Sequence, residues 1–141
     1  MAEASALRLL AEDEADLAVI SAALQDAIAK VGDIAWEAGG RRLTLAVNRY
    51  RWEAGVRQRV RSALQICGVL QVQARKIRRD QRDAVIELLS IGFEPGEPPG
   101  GILTLTFAAG GELRVVVECI DAVLADISQP WPTPRAPTHG A

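Results

Sequence analysis

Residues 34–47 read IAWEAGGRRLTLAV, and apolar side chains recur there at every second position on both sides of a glycine pair. The alternating residues are Ile34, Trp36, Leu43, Leu45 and Val47. A period of two is typical of a β-strand, and two such rows around Gly39-Gly40 predict a hairpin. From this hairpin outward, the chain is expected to be built mainly of antiparallel strands.

The same period continues towards the C-terminus. Val60 to Val72 predicts one long strand bent at Gly68. Residues 84–93 predict another strand after a charged connection, although the pattern of residues 84–89 also fits a helix. A second hairpin is expected around Gly110-Gly111. Tyr50 and Trp52 fall in the opposite phase from Val47, which predicts a bulge near Asn48.

Two segments have helical spacing. Residues 12–31 carry an apolar stripe every three or four positions, with Asp13 as the expected N-cap and Gly32 as the stop signal. Residues 120–127 fit a short helix or a further strand, and we favour the helix. Leu7 and Leu9 alternate with Arg8 and indicate a short strand before the first helix.

These elements predict an α+β fold. We expect a strongly curved, mainly antiparallel sheet or partly open barrel of roughly six strands, with an N-terminal amphipathic helix and a short C-terminal helix. A roll like that of pleckstrin-homology domains is one candidate. Residues 1–128 would form a single globular domain, and residues 129–141 a disordered proline-rich tail.

Composition excludes several classes of protein. Of 141 residues, 49% are hydrophobic and 24% charged, as in soluble globular proteins, and no apolar run is long enough to cross a membrane. The N-terminal residues resemble no secretory signal, so we expect a cytoplasmic protein without membrane contact. Cys67 and Cys119 are expected to be buried free thiols.

The sequence contains no pattern that indicates catalysis or a cofactor. The single histidine, His139, lies in the predicted tail, where it could not be held against a nucleophile. One histidine and two distant cysteines do not form a zinc motif, and both glycine pairs join strands instead of cradling a phosphate. We therefore expect no catalytic residues, no metal, no cofactor and no enzymatic activity.

Charge is strongly segregated along the chain. Residues 41–82 hold twelve basic and two acidic side chains, a local charge of +10, whereas residues 1–40 and 83–141 each carry −6. Arginine binds phosphate and carboxylate oxygens through a planar fork, and an interleaved tryptophan can stack on bases. The candidate binding residues are Arg49, Arg51, Arg59, Arg61, Arg75, Arg78, Arg79 and Trp52. The opposite interpretation is that the acidic flanks fold beside these arginines and neutralise them.

These observations favour a non-enzymatic interaction module that binds a partner protein or a second copy of itself. The alternative is binding of a nucleic acid or a phosphate ligand through residues 41–82. The acidic pI of about 5.4 argues against nucleic acid.

Two stretches carry a resemblance to a known family: LRLLAEDEADLAVISAALQDA at residues 7–27 and GGELRVVVECIDAVLADISQPWP at residues 110–132. Together they resemble an uncharacterised bacterial family of domains of unknown function, over residues 7–132. The resemblance implies a small bacterial domain and supplies no catalytic or binding residue.

Overall fold

The computed structural model describes residues 6–137 and shows one α-helix and eleven strands within that range. The helix is α1 (Glu14–Ala23). The strands are β1 (Arg8–Ala11), β2 (Ala27–Lys30), β3 (Ile34–Glu37), β4 (Arg42–Tyr50), β5 (Gln58–Ile66), β6 (Val69–Arg75), β7 (Val85–Pro95), β8 (Gly101–Phe107), β9 (Glu112–Val117), β10 (Ala122–Asp126) and β11 (Trp131–Pro132). The predicted antiparallel sheet with one N-terminal helix is confirmed, but the expected strand number is too low.

All these strands belong to one antiparallel sheet. Its main path runs β1-β10-β5-β4-β2-β7-β8-β9-β6, with β3 added to β4 and β11 added to β5. The two halves of the path join at β2, which pairs with β4 at one position, Ile28 with Asn48. The sheet is open, and a pleckstrin-homology-like arrangement stays a prediction.

Alternating rows from both halves of the sheet form one aliphatic core. Both predicted hairpins are present, as the pairs β3–β4 and β8–β9. The buried side chains with the least exposure include Leu43, Leu45, Leu64, Ile66, Leu103, Leu105, Phe107 and Leu124. Helix α1 adds Leu17 and Ile20 to this core.

The predicted C-terminal helix is wrong, because residues 122–126 form strand β10 between β1 and β5. Ala122 and Leu124 point into the core, and the side chain of Asp126 continues their row at 3% exposure. Because the inward position after Leu124 holds the carboxylate of Asp126, the apolar alternation stops there. The spacing of the apolar residues in 120–127 then resembles that of a helix.

Helix α1 is shorter than predicted. Asp13 caps its start, accepting a hydrogen bond from Asp16 N at 2.8 Å, as expected. The helix ends at Ala23, and Asp26 takes a positive φ of 63° that turns the chain into β2. Gly32 therefore does not end this helix but lies in a one-turn 3₁₀ helix.

The predicted long strand is two strands that lie in different halves of the sheet. Gly68, with φ of +63°, turns the chain between β5 and β6, a conformation that glycine adopts without steric cost. The predicted bulge near Asn48 is absent, since β4 pairs with β5 in regular register through Tyr50.

Part of the predicted tail lies against the sheet. Trp131 and Pro132 pair with Arg59 and Gln58 of β5, and Thr133 N donates to Arg57 O at 3.0 Å. The domain boundary at residue 128 and a disordered tail stay predictions, and residues 138–141, including His139, lie outside the described residues. Among residues 6–137 no helix has the length and apolarity needed to cross a membrane.

Candidate functional site

Arg49 lies inside the sheet at the centre of a buried polar network. Its side chain is 0% exposed and faces Asp126 through two hydrogen bonds of 3.0 Å, from Nε to Oδ1 and from Nη2 to Oδ2. Glu53 accepts two more, at 3.0 and 2.8 Å. Ser62 Oγ donates to Asp126 Oδ1 at 2.7 Å, and Leu7 N donates to Oδ2 at 2.8 Å. The network thus joins β4, β5, β10 and the residue before β1.

This network fixes the charge of its members. Burial opposes the ionisation of Asp126, but hydrogen bonds from Arg49, Ser62 and Leu7 N outweigh it and lower the Asp126 pKa. Hydrogen bonds from Arg49 also lower the pKa of Glu53. Burial alone would lower the pKa of Arg49, yet its two carboxylate partners raise it. Arg49 is therefore a charged structural residue that does not face solvent.

Three more candidate arginines are held by neighbouring groups. Arg61 donates to Asp33 Oδ1 and Asn48 Oδ1, both at 3.1 Å, and Arg51 donates to Gln58 Oε1. Arg59 donates to Asn48 O at 3.0 Å and lies over the Tyr50 ring, 5.9 Å from its centroid. Burial lowers the Arg59 pKa.

Trp52 is 39% exposed, and its Nε1 donates to Gln25 O at 3.1 Å. Its ring packs at 4.7 Å from the ring of the buried Tyr50. The aromatic pair therefore packs against the fold beside Arg59, and a role for Trp52 in stacking on bases stays a prediction.

The remaining candidates Arg75, Arg78 and Arg79 are exposed. They belong to residues 75–82, the basic segment, which also holds Lys76 and Arg82 against one acid, Asp80. Arg75 is 73% exposed and reaches only Glu112, at 4.0 Å. Among residues 6–137, Arg78, Arg79 and Arg82 form no ion pair. The candidate arginines therefore do not form one continuous surface, because Arg59 and Arg61 lie on β5 whereas Arg75 ends β6.

An open cavity of about 460 Å³ lies beside the basic segment. Arg75 and Arg79 line it together with Arg114 and Glu112 of β9. The lining of this cavity thus holds three arginines and one glutamate, and Arg114 also lies 4.0 Å from Glu94. The cavity surface therefore carries both signs of charge, with an excess of positive charge. Such a surface can attract a carboxylate or phosphate group.

Other groups that could perform chemistry lie apart. Cys67 and Cys119 are free, as predicted, but partly exposed instead of buried. Burial raises the pKa of the Cys67 thiol, which favours its unreactive protonated form. Among residues 6–137 no group of three or more histidine, cysteine or acidic side chains could hold a metal ion.

Sequence reasoning missed Asp126, Glu53 and Arg114. Asp126 stands two positions after Leu124 in the row Ala122, Leu124, Asp126, and that period of two was the available signal. Arg114 alternates with Leu113 and Val115 on β9 but lies outside the basic segment in sequence, so no local pattern connects it with Arg75.

The fold and the site define a small antiparallel-sheet domain whose arginines divide into an internally paired group and an exposed group. The chain belongs to the family described as "Protein of unknown function (DUF2948)", which matches residues 7–139. No curated protein and no solved structure matched the chain.

Proposed function

We propose that this domain is a non-enzymatic interaction module that binds a partner protein through the basic segment. The observation that carries the proposal is the division of the arginines: Arg49 and Arg61 are paired with acids inside the fold, whereas Arg78 and Arg79 are exposed. Exposed charge of one sign sets the choice and orientation of a partner.

A binding role agrees better with the site than catalysis does. The strongest convergence of ionisable groups, at Arg49, Asp126 and Glu53, is satisfied by its own hydrogen bonds. Catalytic acids and bases need a shifted pKa together with access to a substrate, and the buried Arg49 and Asp126 lack that access.

Selection from a random peptide library displayed on phage tests this proposal. Wild-type chain should enrich sequences that bind the purified protein, and the double variant Arg78→Glu with Arg79→Glu should lose most of that enrichment. The control Arg8→Glu with Arg135→Glu makes the same change in net charge at exposed arginines outside the segment. No enrichment on wild type, or equal enrichment on both variants, would refute a partner-binding role of the segment.

The alternative function is binding of a nucleic acid or phosphate ligand. It is favoured by one feature, the cavity where Arg75, Arg79 and Arg114 converge. A mobility-shift titration with a single-stranded oligonucleotide at two salt concentrations tests it, since phosphate contacts weaken steeply as salt rises. Absence of a salt-sensitive shift at micromolar protein would reject this alternative.

A further inference from the structure

A groove separates two strand edges beside the basic segment. β3 pairs with β4 alone and β6 with β9 alone, so each strand has one edge without a neighbour among the described strands. Ile34 and Trp36 of β3 and Val72 and Ala74 of β6 nevertheless line one cavity. The two strands with an unpaired edge therefore border the same cavity.

Backbone hydrogen bonds hold the chain segments that flank the groove. Val69 N donates to Arg41 O at 2.9 Å at the start of β6, next to the β3–β4 turn. Gly32 N donates to Arg82 O at 2.8 Å, immediately before β3. The walls are thus held in place by the fold.

The floor of the groove is apolar. Its cavity of about 180 Å³ is lined by Ile34, Trp36, Val72, Ala74, Ile77 and Leu113. At the ~30 Å³ that a water occupies in the liquid, this volume is about six waters, room for one apolar side chain. The larger open cavity shares Val72 and Ala74 as lining residues, so the two cavities adjoin along β6.

The rim of the groove is cationic. Arg79 and Arg82 line the apolar cavity, and Arg75 lines the larger one beside it. Neither Arg79 nor Arg82 has an ion-pair partner among residues 6–137, although Arg82 Nη2 donates to Gly32 O at 3.3 Å. Arg75 has only a 4.0 Å contact with Glu112. Carboxylates on a ligand would pair with these arginines.

An unpaired strand edge binds an extended peptide through main-chain hydrogen bonds, and neighbouring pockets select alternate side chains. Neither β3 nor β6 contains a proline, and β6 is seven residues long. Alternation then places every second peptide side chain towards the apolar cavity and the others towards the arginines.

We propose that this groove binds an extended acidic segment of a partner protein, which adds a strand to β6 and inserts an apolar side chain between Trp36 and Val72. This inference rests on the proposed function and names the partner's chemistry. Carboxylates on the segment contact Arg75, Arg79 and Arg82.

Fluorescence anisotropy with the full chain tests the proposal. The probe is a fluorescein-labelled octapeptide in which glutamates alternate with valine and leucine, and the comparison peptide carries lysine in place of every glutamate. We expect saturable binding of the glutamate peptide that weakens as salt rises, and none of the lysine peptide. Arg79→Glu with Arg82→Glu should weaken binding about tenfold or more, a loss of ~1.4 kcal/mol. The control Arg8→Glu with Arg135→Glu should change it less than about twofold, because rim charges act locally.

Amide hydrogen exchange locates the added strand. Amides of β6 should gain protection when the glutamate peptide is present, and a peptide N-methylated along one edge should lose both binding and protection. Binding without protection at β6 would overturn the groove while leaving the proposed function standing. If the glutamate peptide does not bind and the phage selection enriches no sequence, the groove and the proposed function are both refuted.

Two further outcomes would also overturn the inference. A twelve-residue oligothymidylate that binds where the glutamate peptide does not would assign the rim to phosphate groups. Light scattering that shows a dimer of the wild-type chain, lost in the Arg79→Glu with Arg82→Glu variant and unaffected by the peptide, would assign the groove to a second copy.

Discussion

Arg49 places a charged side chain at a position of β4 that faces the core. It occupies the inward position that follows Leu43, Leu45 and Val47 on β4, where an apolar residue would be expected. Asp126 and Glu53 each accept two hydrogen bonds from Arg49. This pairing offsets the burial of the guanidinium, because an unpaired buried charge costs several kcal/mol.

Asp126→Asn should be strongly destabilising. An amide nitrogen facing Arg49 replaces an acceptor with a donor, and breaking a buried pair costs about 3–5 kcal/mol. Urea unfolding at pH 7 measures the loss. Ser62→Ala, which removes a hydroxyl that donates to Asp126 and accepts from Arg49, should cost less, about 1.5–3 kcal/mol. Equal losses in the two variants would contradict a dominant ion pair.

Gly101 is a second position where one residue type is required. A Cβ at Gly101 would lie 2.5 Å from Phe93 Cζ and closer still to Glu94 O. Gly101→Ala should therefore destabilise the β7–β8 pair by about 1–3 kcal/mol, as overpacking does. In thermal unfolding, the matched variant Gly92→Ala, where nothing lies within 4 Å, should keep or slightly raise the melting temperature. If Gly101→Ala melts at the wild-type temperature, the β7 and β8 strands move apart enough to accommodate the added methyl group.

At the scale of elements, α1 depends on its N-cap. Asp13 Oδ1 accepts from Asp16 N at 2.8 Å, and its charge lies at the positive end of the helix dipole. Asp13→Ala should cost about 1 kcal/mol in urea unfolding. Glu12→Gln, which changes a neighbouring exposed acid outside the cap, should leave stability within about 0.5 kcal/mol of wild type. If both variants behave alike, general charge and not the cap stabilises the helix.

Strands whose inward rows are wholly apolar could be predicted from sequence. The β3–β4 and β8–β9 hairpins follow directly from rows such as Leu43-Leu45 and Leu103-Leu105 around glycine pairs. Elements that bury a charge could not. Asp126 interrupted the apolar alternation of β10, which suggested a helix, and the phase change at Tyr50 and Trp52 suggested a bulge. Both errors arose because local alternation assumes that charged side chains such as Arg49 point outward.

The candidate site was predictable only in part, for the same reason. Arg75, Arg78 and Arg79 are exposed, as a charged run indicates, but Arg49 is not. Its neutralising partner Asp126 lies 77 positions away, beyond the reach of any local pattern. The groove was also hidden, since it arises where β3 and β6 approach without pairing, and their separation in the chain gives no sign of that approach.

At the scale of the whole molecule, the network makes stability depend on pH. The folded-state pKa values of Asp126 and Glu53 lie below the ordinary 3.8 and 4.5, so their contribution is complete above those values. It is lost as the pH falls through the lowered values, because the unfolded chain binds protons first. We expect the free energy of unfolding, measured with urea between pH 7 and pH 3, to fall steeply below about pH 4.5.

Glu53→Gln should flatten that acid dependence by removing one of the two carboxylates. Glu97→Gln, a change in an exposed loop, serves as the control and should retain the wild-type slope. A slope that is the same in all three proteins would show that other carboxylates govern acid unfolding.

The bond between Arg49 and Asp126 also has a consequence for synthesis on the ribosome. β4 is translated long before β10, so a growing chain holds Arg49 without its main counter-charge until residue 126 has left the exit tunnel. The first half of the protein should therefore stay sensitive to protease while it is being made. Stalled nascent chains ending at residue 120 should be digested readily. Complete chains fused to a C-terminal tether long enough to place residue 132 outside the tunnel should resist.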